Sequence, residues 1–122
     1  MLIKDFYNTT NITFNISGFE AIIELNTNHE VYKGHFPEQP VVPGVIQLQI
    51  AKELLEDVMQ AKLMMEKVTQ AKYLNLITPK ETPELNFIFK NSTTDDNKIK
   101  TNVNIGTSDV IFTKAKLVFK VI

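Results

Sequence analysis

The fold is decided by residues 34–58, GHFPEQPVVPGVIQLQIAKELLEDV, in which a proline-rich loop runs directly into an amphipathic helix. Pro43 suits the first turn of a helix, because the N–H that proline lacks has no partner there. Apolar residues then recur at helical spacing, namely Val45, Leu48, Ala51, Leu54, Leu55 and Val58. This pattern predicts one long helix from about residue 43 to about residue 60.

Strand patterns lie on both sides of this helix. Before it, residues 12–16 alternate between apolar and polar, and residues 21–25 form a second apolar run. After it, residues 61–67 fit either a frayed helix end or a loop. The remaining strand patterns cover residues 68–77, 85–89, 99–105 and 111–121. This order predicts a single α+β domain over residues 1–122, with a long central helix wrapped by a curved antiparallel sheet. The edge strand of such a sheet is open for pairing with a second copy.

The composition excludes several classes of function. All 13 basic residues are lysine and the net charge is -1, so we expect no nucleic-acid partner. The absence of cysteine excludes disulfides, thiolate catalysis and cysteine-ligated zinc, and two histidines are too few for a histidine-rich metal site. No apolar run approaches the roughly 20 residues of a membrane helix, and the first residues lack a signal-peptide pattern. We expect a cytoplasmic protein without metal, cofactor or membrane contact.

The irregular segment before the helix holds the candidate chemistry. His35 lies in a stiff loop just ahead of a helix N-terminus, whose N–H groups carry partial positive charge. Gly44 has no side chain, so a substrate could approach its backbone closely. A histidine base and an oxyanion donor are what removal of a proton beside a carbonyl requires. The alternative is that His35 is a structural hydrogen-bonding group. His29, among polar neighbours, is expected to be a solvated loop residue.

The motif in this segment resembles a known family signature. Gly34-His35-Phe36-Pro37, Pro40-Val41 and Pro43-Gly44-Val45 are similar to the GHFPxxPxxPGV run of the FabA/FabZ-like 3-hydroxyacyl-acyl-carrier-protein dehydratases. Residues 71–73 and 109–120 look like later strands of that family. The step Gln47-Leu48 resembles a smaller branch associated with aryl-polyene and related pigment pathways. The resemblance implies the hot-dog fold.

The resemblance also implies roles for particular positions. His35 would be the base that removes the proton alpha to the thioester carbonyl, and the backbone carbonyl of Val41 would orient its imidazole. The backbone N–H of Gly44 would hold the thioester oxygen. Apart from the resemblance, Phe36 and Val45 are our candidates for contact with the acyl chain. In the family, an acid fourteen residues after the histidine helps the 3-hydroxyl leave, and the two groups come from different subunits of a dimer.

The chain departs from the family at that acid. Gln49 stands fourteen residues after His35, and glutamine cannot donate a proton as an acid does. Glu53 lies one turn later on the same helical face, where the family commonly has glutamine. One hypothesis is that Glu53 acts through Gln49 or through a water molecule. The alternative is that Glu53 is a surface glutamate paired with a lysine.

The resemblance implies a hydro-lyase that converts a 3-hydroxyacyl thioester to a trans-2-enoyl thioester in fatty-acid or polyene-type biosynthesis. Its substrate would be carried by acyl carrier protein or coenzyme A. We expect a homodimer, a heterodimer with a paralogue, or a higher oligomer of dimers. One alternative is a thioesterase of the same fold that uses Glu53. Another is a weakly active or inactive partner subunit, which Gln49 favours. Lys33, Lys52 and Lys62 are candidates to meet an acidic carrier protein, or are simply solvated.

Overall fold

The structure, a computed structural model, describes residues 5–34, 39–93 and 96–122. Two strands come first, β1 (Tyr7–Phe14) and β2 (Gly18–Leu25), followed by a short helix α1 (Val31–Gly34) and the long helix α2 (Gly44–Met59). Four strands complete the chain: β3 (Leu63–Tyr73), β4 (Glu84–Thr93), β5 (Ile99–Gly106) and β6 (Ile111–Val121). The predicted order of two strands, a long helix and four strands is confirmed.

The strands form one antiparallel six-stranded sheet in the order β1-β2-β4-β5-β6-β3. The strand after α2 therefore does not pair with its chain neighbour β4 but crosses to the far edge, beside β6. Among the described residues, β1 and β3 are the edges of the sheet. Two register shifts interrupt the pairing of β3 with β6, and irregularities of this kind bend and twist a strand.

The core lies between the concave face of the sheet and one face of α2. Ala51, Leu54 and Leu55 are buried there, as their helical spacing predicts, and Ile50 is buried beside them. From the sheet, Phe19 and Phe89 stack with ring centroids 4.2 Å apart. The predicted α+β architecture, a long central helix against a curved antiparallel sheet, is confirmed.

The end of α2 differs from the sequence-based expectation. The sequence predicts either a frayed helix end or a loop for residues 61–67. The structure shows neither over most of this range, because β3 begins at Leu63. The helix stops because Gln60 adopts a left-handed conformation with φ 54° and its backbone N–H donates to Glu56 O. The Leu63 N–H donates to the Glu56 carboxylate over 2.8 Å, and the Leu63 side chain is buried. These contacts start the strand immediately after the turn.

Two further segments differ. The strand predicted to reach residue 77 ends at Tyr73, because the N–H groups of Leu74 and Asn75 both turn to the carbonyl of Phe112. The segment before α2, expected to be irregular, contains α1. His29 accepts a hydrogen bond from the N–H of Val31 over 3.0 Å and packs edge-on against the ring of Phe6. His29 therefore lies in a loop, as expected, but is only partly exposed and is held by these contacts.

Candidate functional site

Gly44 is the first residue of α2, at the position where the sequence predicts an oxyanion donor. The carbonyl of Pro43 accepts hydrogen bonds from the N–H groups of Ile46 and Gln47, both over 3.1 Å. The N–H of Gly44 precedes these, and the helix itself provides no acceptor for it. Val41, whose carbonyl is predicted to orient the histidine, lies buried three residues before. The backbone at Gly44 can therefore donate to an oxygen that gains negative charge.

A buried glutamine holds this helix start against the sheet. Gln47 is 4% exposed, and its amide nitrogen donates to the carbonyl of Val42 over 3.0 Å. Its amide oxygen accepts from the hydroxyl of Thr113 on β6, which is fully buried. The N–H of Val42 donates to Ile77 O over 2.9 Å. Both polar groups of the Val42 backbone are thus fixed, which sets the position of the chain on either side of it.

The space beside Gly44 is filled by a tyrosine ring. A Cβ placed on Gly44 would lie 2.6 Å from Cζ of Tyr73 and 2.8 Å from its hydroxyl oxygen. The expectation that glycine leaves this side of the backbone open to substrate is wrong, because Tyr73 occupies it. Partial burial raises the pKa of Tyr73 above its ordinary value, so its hydroxyl stays protonated. Tyr73 therefore places a hydrogen-bond donor beside the first residue of α2.

Gln49 and Glu53 are joined directly, and a third residue completes the group. The amide nitrogen of Gln49 donates to Oε2 of Glu53 over 2.9 Å, and the hydroxyl of Tyr7 donates to Oε1 over 2.9 Å. Burial raises the pKa of Tyr7 well above its ordinary range, and the negative charge of Glu53 raises it further. Glu53 is 8% exposed, so its interpretation as a surface glutamate is wrong.

Gln49 and Glu53 form part of the wall of an open cleft of about 610 Å³ that follows α2 toward its C-terminal end. Lys52, Glu56 and Asp57 line the same cleft, so its wall carries charges of both signs. Two of the lysines considered as carrier-protein contacts, Lys52 and Lys62, lie here among these acids. The cleft brings a polar amide and a carboxylate within reach of a ligand.

Three of the predicted site residues remain to be placed. His35 and Phe36 lie outside the described residues. Val45 is 75% exposed and therefore forms no pocket within the described part of a single chain. Within residues 5–34, 39–93 and 96–122, no three histidine or acidic side chains converge closely enough to hold a metal ion. No helix in these ranges is long and apolar enough to span a membrane.

Four residues that contribute to the site were missed from sequence: Tyr7, Gln47, Tyr73 and Thr113. The sequence offers a clue to Gln47, because a polar residue between the apolar residues Ile46 and Leu48 can indicate a buried hydrogen-bonding group. The sequence offers no clue to Tyr7 or Thr113. Tyr7 is 46 residues from its partner Glu53 in sequence, and Thr113 is 66 residues from its partner Gln47. Such contacts follow from the packing of the sheet and not from local spacing.

The sequence matches one protein-family model, that of the ApeI dehydratase, over residues 12–113. The chain belongs to the ApeI-like dehydratase family. The match covers most of the chain, including β2 to β5 and all of α2. It confirms the resemblance to the hot-dog dehydratases and their aryl-polyene branch. No curated protein sequence matches the chain significantly.

Solved structures share the fold at low sequence identity. A chain of the dehydratase heterocomplex ApeI:P from Xenorhabdus doucetiae is 16% identical with a TM-score of 0.63, over 92% of this chain and 96% of that one. An uncharacterised protein from Erwinia carotovora subsp. atroseptica is 17% identical with a TM-score of 0.63, over 94% of each. A thioesterase from Haemophilus influenzae is 12% identical with a TM-score of 0.65, over 99% of this chain and 82% of that one. At these identities the likeness establishes the hot-dog fold alone.

Proposed function

We propose that this protein dehydrates a 3-hydroxyacyl thioester to the trans-2-enoyl thioester. The observation that carries the proposal is the start of α2, where Gly44 presents a helix N-terminal N–H from a backbone anchored by Gln47. Membership of the ApeI-like dehydratase family supports a reaction of this class. Fatty-acid or polyene-type biosynthesis is the setting that we propose for it.

The reaction needs a base, an oxyanion donor and a way to release water. In the proposal, His35 removes the proton from C2, and the electron pair of the C–H bond forms the C2–C3 double bond. The N–H of Gly44 stabilises the negative charge that develops on the thioester oxygen during this step. The C3–O bond breaks, and the hydroxyl leaves as water with the proton that His35 returns to it. Atoms and charge balance without any added reactant.

Gln49 takes the place of the acid in this proposal, as a residue that binds the hydroxyl. One N–H of its amide is committed to Glu53, which leaves the second N–H and the amide oxygen for a ligand in the cleft. Glu53 acts through Gln49 as a positioning residue, since both of its oxygens accept hydrogen bonds. Its role is to orient the amide rather than to supply a proton.

We propose that two chains complete the site, with His35 of one subunit facing Gln49 of the other. The long edge strand β3 supports this assembly, because most of its side chains are exposed and it pairs only with β6 within the described residues. Pairing of two β3 edges would join the sheets of two subunits. Subunit mixing tests the arrangement. His35→Ala and Gln49→Ala, each inactive alone, should together restore activity to about a quarter of wild type when mixed in equal amounts. Half of the dimers are then mixed, and one of the two sites in each mixed dimer is intact.

The experiment that tests the function uses the purified protein and a 3-hydroxyacyl carrier-protein substrate. Formation of the trans-2-enoyl product, its hydration in the reverse direction, and loss of both in His35→Ala are the expected results. Release of free acid and thiol would overturn the proposal in favour of a thioesterase. No change in the substrate over long incubation would overturn it for the isolated chain.

A second candidate is that the chain is a weakly active subunit which needs a catalytic paralogue. The presence of Gln49 favours it, because loss of a positioned acid typically lowers a rate by roughly 10²–10⁴-fold. One structural neighbour is itself described as a dehydratase heterocomplex. Titrating a paralogue from the same genome into the assay separates the two candidates. A rise in rate that saturates at an equal ratio of subunits would favour the partner role.

A further inference from the structure

The outer face of the sheet, opposite α2, carries a concentrated patch of lysines. Side chains on β3, β4, β5 and β6 surround a shallow concavity of about 340 Å³ there. We define the basic face as these six of its lining residues: Lys72, Lys90, Lys114, Lys116, Asn102 and Asn104. Among the residues that the structure describes, no acidic one lines the concavity, although the whole chain has 14 acidic and 13 basic residues.

Strand register places these residues in two adjacent rows. One row runs from Lys72 through Lys114 and Asn104 to Ile88, and the next runs from Gln70 through Lys116 and Asn102 to Lys90. Beyond them, the first acid in either row is Glu20, opposite Ile88. Neighbouring strands lie about 4.8 Å apart and alternate residues about 6.8 Å apart, so the lysines surround an area of about 14 Å by 7 Å.

This arrangement opposes stability in the isolated chain. Lys72 and Lys114 are direct cross-strand partners, and like charges in that position repel each other. An ordinary solvated surface mixes the two signs of charge. Asn102 and Asn104 lie between the lysines and add neutral hydrogen-bond donors to the same area. The face is therefore suited to receive several separate negative charges.

We propose that the basic face docks the acidic acyl carrier protein that would deliver the thioester. This inference rests on the proposed function for the identity of the partner. A single phosphate would engage only part of an area this wide, and the chain has no arginine to bind one in bidentate fashion. Carboxylates spread over a protein surface match the spacing better. The cleft beside Gln49 is a poorer match, because Lys52 and Lys62 lie there among Glu53, Glu56 and Asp57.

The test measures binding of unacylated, fluorescently labelled acyl carrier protein to the full-length protein by anisotropy, so that no turnover is needed. Reversing two charges with Lys114→Glu/Lys116→Glu should weaken binding about tenfold or more. The matched control Lys52→Glu/Lys62→Glu makes the same charge change in the other cleft and should leave binding within about twofold. Binding to the wild type should also weaken as salt rises from about 50 to about 300 mM.

A folding control accompanies the titration. The melting temperature of Lys114→Glu/Lys116→Glu should be unchanged or higher, because the substitution removes repulsion between Lys72 and Lys114. If that variant fails to fold, Lys114→Gln/Lys116→Gln gives the same test with a smaller effect. The proposal is overturned if the carrier protein does not bind, if the control variant alone weakens binding, or if all variants bind equally. Binding of anionic vesicles or DNA, but not carrier protein, at about 150 mM salt would overturn it too.

The docking proposal and the proposed function can fail separately. Carrier binding through the basic face without any dehydration would overturn the function and leave the docking surface. Dehydration of a coenzyme A thioester without carrier binding would overturn the docking surface and leave the proposed function.

Discussion

Gln49 donates its side-chain amide to the carboxylate of Glu53, one helical turn away and 2.9 Å distant. An ionised carboxylate only accepts hydrogen bonds, so the amide must turn its nitrogen toward Glu53. This pair reverses the order of acid and amide that the resemblance to the dehydratases implies. The reversal suggests a direct way to test what the pair contributes.

The double exchange Gln49→Glu/Glu53→Gln should raise the dehydration rate by about 10²-fold, because it places a proton donor beside the leaving hydroxyl. The amide–carboxylate hydrogen bond survives with its partners exchanged, and Tyr7 can still donate to residue 53. Rates at saturating substrate give the comparison. Glu53→Gln alone is the control, since it restores no acid at position 49. A double variant no faster than wild type would contradict a role for this pair in releasing water.

Gln47→Leu should lower both stability and kcat. The substitution removes the hydrogen bond to Val42 and leaves the buried hydroxyl of Thr113 without its acceptor. Loss of such contacts costs about 1–3 kcal/mol in the free energy of unfolding. Because the backbone next to Gly44 is released, kcat should fall while KM changes little. Urea denaturation and steady-state kinetics measure the two effects.

The matched variant for this prediction is Thr113→Val, which keeps the bond between Gln47 and Val42. It should destabilise the protein but leave kcat closer to wild type. An equal loss of kcat in both variants would show that general destabilisation, and not the position of the helix start, is responsible.

Gly44→Ala should destabilise the protein by about 1–3 kcal/mol, the usual cost of overpacking. The new methyl group would lie 2.6 Å from Cζ of Tyr73, a contact that the structure can relieve only by moving the ring. Thermal unfolding measures the loss. In a Tyr73→Ala background the same glycine substitution should cost much less, since the clash is gone. Additive losses in the double variant would show that the two residues do not compete for this space.

Stability should fall at alkaline pH, and Tyr7→Phe should reduce the fall. The pKa of Tyr7 is raised in the folded protein, so above pH 10 the unfolded chain releases a proton that the folded chain retains. The free energy of unfolding then drops by up to about 1.4 kcal/mol per pH unit for this group. Below pH 10 neither state is ionised and the contribution is constant.

Denaturation of wild type and Tyr7→Phe is measured at pH 7 and pH 11. The lysines also lose their charge at alkaline pH, but they are the same in both proteins, so the difference between the two proteins reports Tyr7. At pH 7 the variant should have the lower free energy of unfolding, because Glu53 loses one of its hydrogen-bond donors. The difference between the two proteins should narrow at pH 11. A constant difference would contradict the raised pKa.

Local pattern was sufficient for the order of the long helix and the six strands, but not for all of their bounds or for the contacts between them. The helical spacing of residues 45–58 predicted α2, and alternation predicted the strands of the sheet, because both patterns reflect which face is buried. The start of β3 was not predictable, since it depends on a bond between Leu63 and the carboxylate of Glu56. The motif placed Gly44 correctly at the helix N-terminus, yet only the packed chain shows Tyr73 beside it.

For the candidate site, the sequence predicted that Gln49 and Glu53 share a helix face, and their hydrogen bond agrees with this. Burial of Glu53 was not predictable, because it depends on Tyr7 from the first strand. Spacing within a helix fixes neighbours four residues apart, but a partner 46 residues away is set by the topology of the whole sheet.

Tyr7 lies on β1, an edge strand whose backbone pairs with β2 alone within the described chain. Edge elements open in local fluctuations more readily than the core to which they attach. Detachment of β1 would break the bond from Tyr7 to Glu53 and loosen the carboxylate that orients the Gln49 amide, while the rest of the domain stays folded. On gradual heating, the protein should therefore lose turnover before its main melting transition, and amide exchange in β1 should report the same early event.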